Sequence, residues 1–181
     1  LGLVAADRPN IIVILADDQG FGDLGANNPQ SKIATPHLDA LAKGGVRFTD
    51  GHTSSGVCTP TRYSLLTGRY HWRTKLQSGV LGGFSTPLIA KDRLTLAGLL
   101  KQQGYATGCF GKWHLGMSFP LKNGGIADDG GNFGKAFQDA ASVDYDRDIV
   151  DGPLEHWFDT YFGISASLDM PPFVWIKDRR V

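Results

Sequence analysis

Cysteine is nearly absent: the 181-residue chain has two, Cys58 and Cys109. One disulfide at most can join them, which excludes the small secreted folds held together by several bridges. Excess charge is also missing. Eighteen basic side chains balance eighteen acidic ones, so no bulk field draws the chain to nucleic acid or to an anionic membrane, and any anion site has to be local. Long apolar runs are missing too. None approaches the ~20 residues that span a bilayer, so no membrane span is expected. With 41% hydrophobic and 20% charged residues, the chain can bury a core.

An initiator methionine is lacking as well. L-G-L-V-A-A-D is like the tail of a signal-peptide apolar region with a small-residue cleavage site near Ala6. Residues 1–6 are therefore expected to be a signal remnant and the protein exported, to a periplasmic, secreted or lysosome-like setting; a cloned or disordered terminus is the alternative. No internal repeat and no linker composition separate a second domain.

What is present reads as an α/β chain with a mainly parallel sheet flanked by helices. I-I-V-I-L, residues 11–15, has the continuous apolar pattern of a strand covered on both faces. It ends in A-D-D-Q-G-F-G-D-L-G, the kind of polar turn at which such folds carry their chemistry. Thr35 and Pro36 start an amphipathic helix that stops at Gly44. V-R-F-T, residues 46–49, reads as a second strand. Thr59 and Pro60 suit a helix start with Gly68 as its stop, which puts Cys58 at a helix N-terminus. Thr95 caps another helix ending at Gly104, and a strand is expected over residues 105–110. Cys109 falls in that strand as a small buried hydrophobe. Residues 117–151 lose the pattern around N-G-G-I-A-D-D-G-G-N-F-G and read as a surface insertion.

Several residues can carry chemistry. Adjacent carboxylates at Asp17 and Asp18 repel each other, and a hard cation such as Ca2+ or Mg2+ is an economical partner; solvation or capping is the plainer alternative. At the helix start by Cys58 the dipole contributes only about 0.3–1 kcal/mol, so holding an ester anion needs more charge, which the planar fork of Arg62 can add. A plain thiolate mechanism fits poorly. Cysteine phosphatases place an arginine six residues after the cysteine, where this chain has Ser64, and Pro60 removes an amide donor. Lys112 and His114, in G-K-W-H-L-G, can neutralise an ester oxygen and move a proton. His52 and His71 are candidates to line a pocket, His37 reads as surface, and His156 as structural.

Together these residues resemble a known family. C-T-P-T-R-Y-S-L-L-T-G-R, residues 58–69, resembles the type I sulfatase signature, whose Cys-x-Pro-Ser/Thr-Arg core is read by a maturation enzyme that converts the cysteine to Cα-formylglycine. G-Y-A-T-G-C-F-G-K-W-H-L-G, residues 104–116, resembles the second sulfatase signature, and P-N-I-I-V-I-L-A-D-D-Q-G-F-G-D-L-G resembles the N-terminal metal-binding strand. The resemblance implies an alkaline-phosphatase-like fold over residues 7–181 and hydrolysis of sulfate esters of sugars or aryl groups. By this pattern the aldehyde made from Cys58 hydrates to a diol, one hydroxyl attacks sulfur, and the other loses its proton to expel sulfate. Asp17, Asp18 and the modified Cys58 are the implied metal ligands. Arg62 is implied to steady the hydrate and Lys112 to bind sulfate, while His114 is implied to assist deprotonation. The family also supplies groups downstream: an Asp followed by Asn, Gln or His, another histidine and another lysine. Their absence here implies the N-terminal part of a longer catalytic domain, for which the resemblance implies no activity alone. The alternatives are a formylglycine phosphodiesterase or phosphonate monoester hydrolase, and a non-catalytic fragment.

Overall fold

Proline inside the first turn and glycine beyond the last one fix where the helices lie. Helix α1, Pro36–Gly44, follows Thr35. Helix α2, Cys58–Thr67, stops at Gly68, whose φ of 66° is left-handed and whose N–H is bonded to the Ser64 carbonyl. Helix α3, Leu96–Gln102, begins where the Thr95 hydroxyl accepts the Gly98 N–H at 3.1 Å. A fourth helix, α4, Phe133–Ser142, is capped by Asn132, whose side chain accepts the Lys135 N–H at 3.0 Å.

The computed structural model describes residues 8–181, in two units: one ends at Gly51 and the other is His52–Val181. The signal remnant expected at residues 1–6 lies outside the described residues. No helix among the described residues is long and apolar enough to cross a membrane.

The first unit is organised by polar contacts. Asp39 Oδ1 accepts the Ala26 N–H at 2.8 Å and the Thr35 hydroxyl at 3.0 Å, and Thr35 Oγ1 accepts the Gly25 N–H at 2.9 Å. These bonds fold the loop onto the start of α1. Residues 11–15 and 46–49, expected as strands, are not strands, and Thr49 lies in a turn. The physical reason is plain. A strand is defined by its neighbour, and no strand forms among the described residues of this unit; Ile12 is 84% exposed and Phe48 81%. The apolar residues Leu38 and Leu41 of α1 are likewise uncovered.

The second unit holds the sheet. Strand β1, Gly108–Lys112, pairs in parallel with β2, Thr160–Ile164, and β2 pairs antiparallel with the short β3, Ile176–Lys177, in the order β1-β2-β3. The chain is α/β as expected, with parallel pairing flanked by helices and one antiparallel strand that makes the sheet mixed. β1 lies two to three residues later than the apolar pattern suggests, because ladder bonding follows Gly111 opposite Gly163 rather than the apolar residues alone. Ladder-like bonds continue past β1, from Trp113 N–H to the Ile164 carbonyl at 3.0 Å and from His114 N–H to the Ser165 carbonyl at 2.8 Å.

Residues 117–151, expected as a surface insertion, instead build much of the core. Met117, Phe119, Val143 and Ile149 are buried with Phe84, Leu115, Tyr161 and Ile176, each large side chain contributing roughly 1.5–3 kcal/mol of transfer free energy. Phe84 and Phe119 meet edge to face at 5.1 Å. The glycine-rich sequence hid this because its loops are tied by one buried carboxylate. Asp129 accepts from the Phe84 N–H at 2.8 Å, the Ser85 hydroxyl at 2.6 Å and the Gly131 N–H at 2.9 Å.

His156, read as structural, is buried and stacked on Trp113 at 6.0 Å. Burial holds its pKa below the ordinary 6.5, against the pull of Glu155 and Asp151. Between the lowered folded value and 6.5 the unfolded chain binds a proton that the folded chain does not, so stability rises with pH there. The contribution is fully present above about pH 6.5 and is lost as pH falls towards the folded value. Thermal unfolding followed by circular dichroism is expected to show a falling midpoint on acidification through that window. His156→Phe should flatten that part of the slope; an unchanged slope would remove His156 as its source.

Candidate active site

Cys58 is the first residue of α2 and enters from an extended Val57 at φ −131°. Thr59 and Pro60 are buried behind it, and the Pro60 ring presets helical φ in the first turn at no cost in intrahelical bonds. The Cys58 side chain therefore stands half-buried at the mouth of the helix.

Two contacts tie this mouth to the end of β1. Lys112 Nζ donates to Cys58 Sγ at 3.0 Å, and Arg62, four residues along α2, donates from Nη1 to the Lys112 carbonyl. An ammonium about 4 Å from an anion is worth about 4 kcal/mol at an effective dielectric near 20, several times the 0.3–1 kcal/mol of the helix dipole. Lys112 is thus the main source of attraction for an anion at this mouth. The Arg62 fork, expected to face an anion, spends one nitrogen on main chain and so braces the lysine's backbone.

His114 follows two residues on and is 1% exposed. Its φ of 55° is left-handed, a conformation that costs a non-glycine residue on the order of 1–3 kcal/mol unless its surroundings enforce it. They do. The His114 N–H is bonded to Ser165, the Thr59 hydroxyl donates to its carbonyl at 2.9 Å, and its Nε2 lies 2.8 Å from the Leu81 carbonyl.

Cys58 and Cys109 are not joined to each other, so the disulfide alternative is not formed. Cys109 behaves as the expected small hydrophobe: burial pushes its thiol up to about 11, opposed by the charge of Arg62. Tyr161, whose hydroxyl donates to the Gly111 carbonyl at 3.1 Å and the Ile164 carbonyl at 2.8 Å, is also pushed up by burial. It stays neutral and clasps the strand ends beneath the site.

The second unit therefore brings together Cys58, Arg62 and Lys112, and anchors His114 through the residue next to Cys58. Asp17 and Asp18 lie in the first unit, exposed at the bend that ends the extended run 11–15. As adjacent, solvent-facing carboxylates they fit a hard divalent cation by donor chemistry. Within either unit, no three His, Cys, Asp or Glu side chains of the described residues converge as a ligand set. His37 and His52 are exposed, and His71 is buried edge-on to Trp72 at 5.2 Å. The sequence reading missed Thr59, whose residue type signals only a helix start, and Leu81, whose backbone carries its contribution.

Three comparisons show which known proteins the chain is similar to. The family model described as sulfatase matches residues 9–162. The chain is 38% identical over 176 residues to an N-acetylgalactosamine-6-O-sulfatase of Bacteroides thetaiotaomicron, covering 97% of this chain and 30% of that protein. It is 52% identical over 116 residues to arylsulfatase A of Bos taurus, covering 64% and 23% respectively. Among solved structures, one described under glycosaminoglycan metabolism by Bacteroides thetaiotaomicron superposes with a TM-score of 0.78 at 38% identity, over 96% of this chain and 32% of that one. Ps i-CgsB superposes with a TM-score of 0.64 at 30% identity, over 89% and 29%. The chain thus spans less than a third of the length of these relatives.

Proposed function

The chain belongs to the sulfatase family, and from that premise we propose that it carries the nucleophile end of a sulfuric ester hydrolase acting on a sulfated sugar or aryl sulfate. The observation that carries the proposal is the 3.0 Å contact of Lys112 Nζ with Cys58 Sγ at the mouth of α2, inside both motifs that resemble sulfatase signatures. A cation beside Cys58 supports a role in neutralising a sulfate oxygen and the nucleophile. The similarity to an N-acetylgalactosamine-6-O-sulfatase favours a sulfated saccharide as substrate.

In this reading Cys58 would be converted to a formylglycine by a maturation enzyme and would supply the nucleophilic oxygen; Asp17 and Asp18, in the first unit, would be carboxylate ligands of a divalent cation, Ca2+ or alternatively Mg2+, which would supply Lewis-acid activation. Lys112 binds the sulfate and neutralises charge that grows as the ester bond breaks. Arg62 fixes the Lys112 backbone and adds positive charge. His114 accepts the proton given up when sulfate is released.

The testing experiment is the mass of the peptide containing Cys58 after expression with and without a formylglycine-generating enzyme. Conversion of the thiol to the aldehyde is the expected result. A thiol that stays alkylatable under conditions that mature a control sulfatase would remove Cys58 from the chemistry.

A further inference from the structure

Helix α2 buries a hydroxyl that the proposed chemistry does not use. Thr59 is fully buried beside Cys58, and a threonine near a helix start ordinarily caps its own helix or faces water. Here its bonds cross the fold. Oγ1 donates to the His114 carbonyl at 2.9 Å and accepts the Leu81 N–H at 3.2 Å. The Leu81 carbonyl lies 2.8 Å from His114 Nε2. Thr59, His114 and Leu81 thus form a closed ring of three hydrogen bonds.

The directions in the ring follow from its chemistry. A carbonyl only accepts, so His114 Nε2 carries the hydrogen that meets Leu81, and in a neutral imidazole Nδ1 then holds the lone pair. The Leu81 N–H only donates, so the hydroxyl hydrogen of Thr59 is committed to the His114 carbonyl. That bond secures a backbone at φ 55°, which a histidine does not keep without support.

We propose that Thr59 is a positioning residue for His114: by joining the His114 carbonyl to the Leu81 amide, its hydroxyl keeps the imidazole as the Nε2–H tautomer and makes Nδ1 the nitrogen that accepts a proton. The tautomer follows from the ring alone, whereas its use in sulfate release rests on the function proposed above. Replacing the hydroxyl by a methyl of similar size leaves the His114 carbonyl and Leu81 amide without their shared partner, and the Leu81 carbonyl is then no longer held against Nε2.

The test is 15N NMR of the imidazoles in the full 181-residue chain, at ~pH 8, above the ordinary histidine range, with the His114 signals assigned by loss in His114→Gln. In the unsubstituted chain and in Thr59→Ser the expected pattern is Nε2 protonated and Nδ1 unprotonated. In Thr59→Val an Nδ1–H population appears and the single-tautomer pattern is lost. Thr59→Cys, a weaker donor of similar size, is read the same way should the valine variant not fold. An Nδ1–H pattern in the unsubstituted chain, or an unaltered pattern in a folded valine or cysteine variant, would overturn the proposal. Maturation of Cys58 is read separately by mass, so either idea can fail while the other stands.

Discussion

Lys112→Ala lowers kcat/KM by about 10²–10³-fold in matured, cation-loaded protein that turns over an aryl sulfate, the scale for removing one preorganised electrostatic partner from developing negative charge. The fold should survive, because Arg62 and the sheet use the lysine's backbone: Arg62 donates to the Lys112 carbonyl, and β1 pairs Lys112 with Ile164. Steady-state kinetics and a melting curve on the same preparation check both halves. A loss below about tenfold, or ~1.4 kcal/mol, would take Lys112 out of the site. Lys112→Arg is expected to recover little, since a planar fork does not reproduce a point charge on a flexible stem.

The second large effect concerns the fold alone. Gly163 faces Gly111 across the parallel pair, and a Cβ built on Gly163 would lie 1.7 Å from the Gly111 carbonyl oxygen and 2.8 Å from the Tyr161 hydroxyl. Neither obstacle is the free end of a flexible chain: one is backbone, and the other is clamped to Gly111 and Ile164. Gly163→Ala must therefore push β1 from β2 and tilt the strand that delivers Lys112. A cost of about 3 kcal/mol is expected, the upper end for overpacking, which lowers Tm by roughly 6–12 °C in a chain of this size. An alanine variant that melts within ~2 °C of the parent would show that the two strands separate freely, and the tight register would lose its importance.

Punctuation was legible in the sequence and pairing was not. Thr35–Pro36, Pro60 with Gly68, and Thr95 mark α1, α2 and α3 because caps and φ limits act within a few residues. The apolar run 11–15 carries no such local signal for its neighbour, and it has no ladder partner among the described residues. Helix α4 and the buried Val143 and Ile149 lay hidden among glycines because Asp129 organises those loops from a distance. Within the site, Cys58, Arg62 and Lys112 were recognisable by residue type and motif, and the structure brings them together. Thr59 was not, since a hydroxyl that bonds 55 positions away looks the same in sequence as one that caps its own helix.

Four tryptophans are present, at 72, 113, 157 and 175. Three are 46–62% exposed, whereas Trp113 is 2% exposed and its Nε1 is bonded to the Gly116 carbonyl at 2.9 Å. Trp113 also separates Lys112 from His114 in the chain. A collisional quencher such as iodide extinguishes the emission of the other three and spares this one, so the residual fluorescence comes from the loop between the two proposed site residues. The protein thus carries its own optical gauge, with which a bound sulfate or a matured Cys58 can be followed without any label.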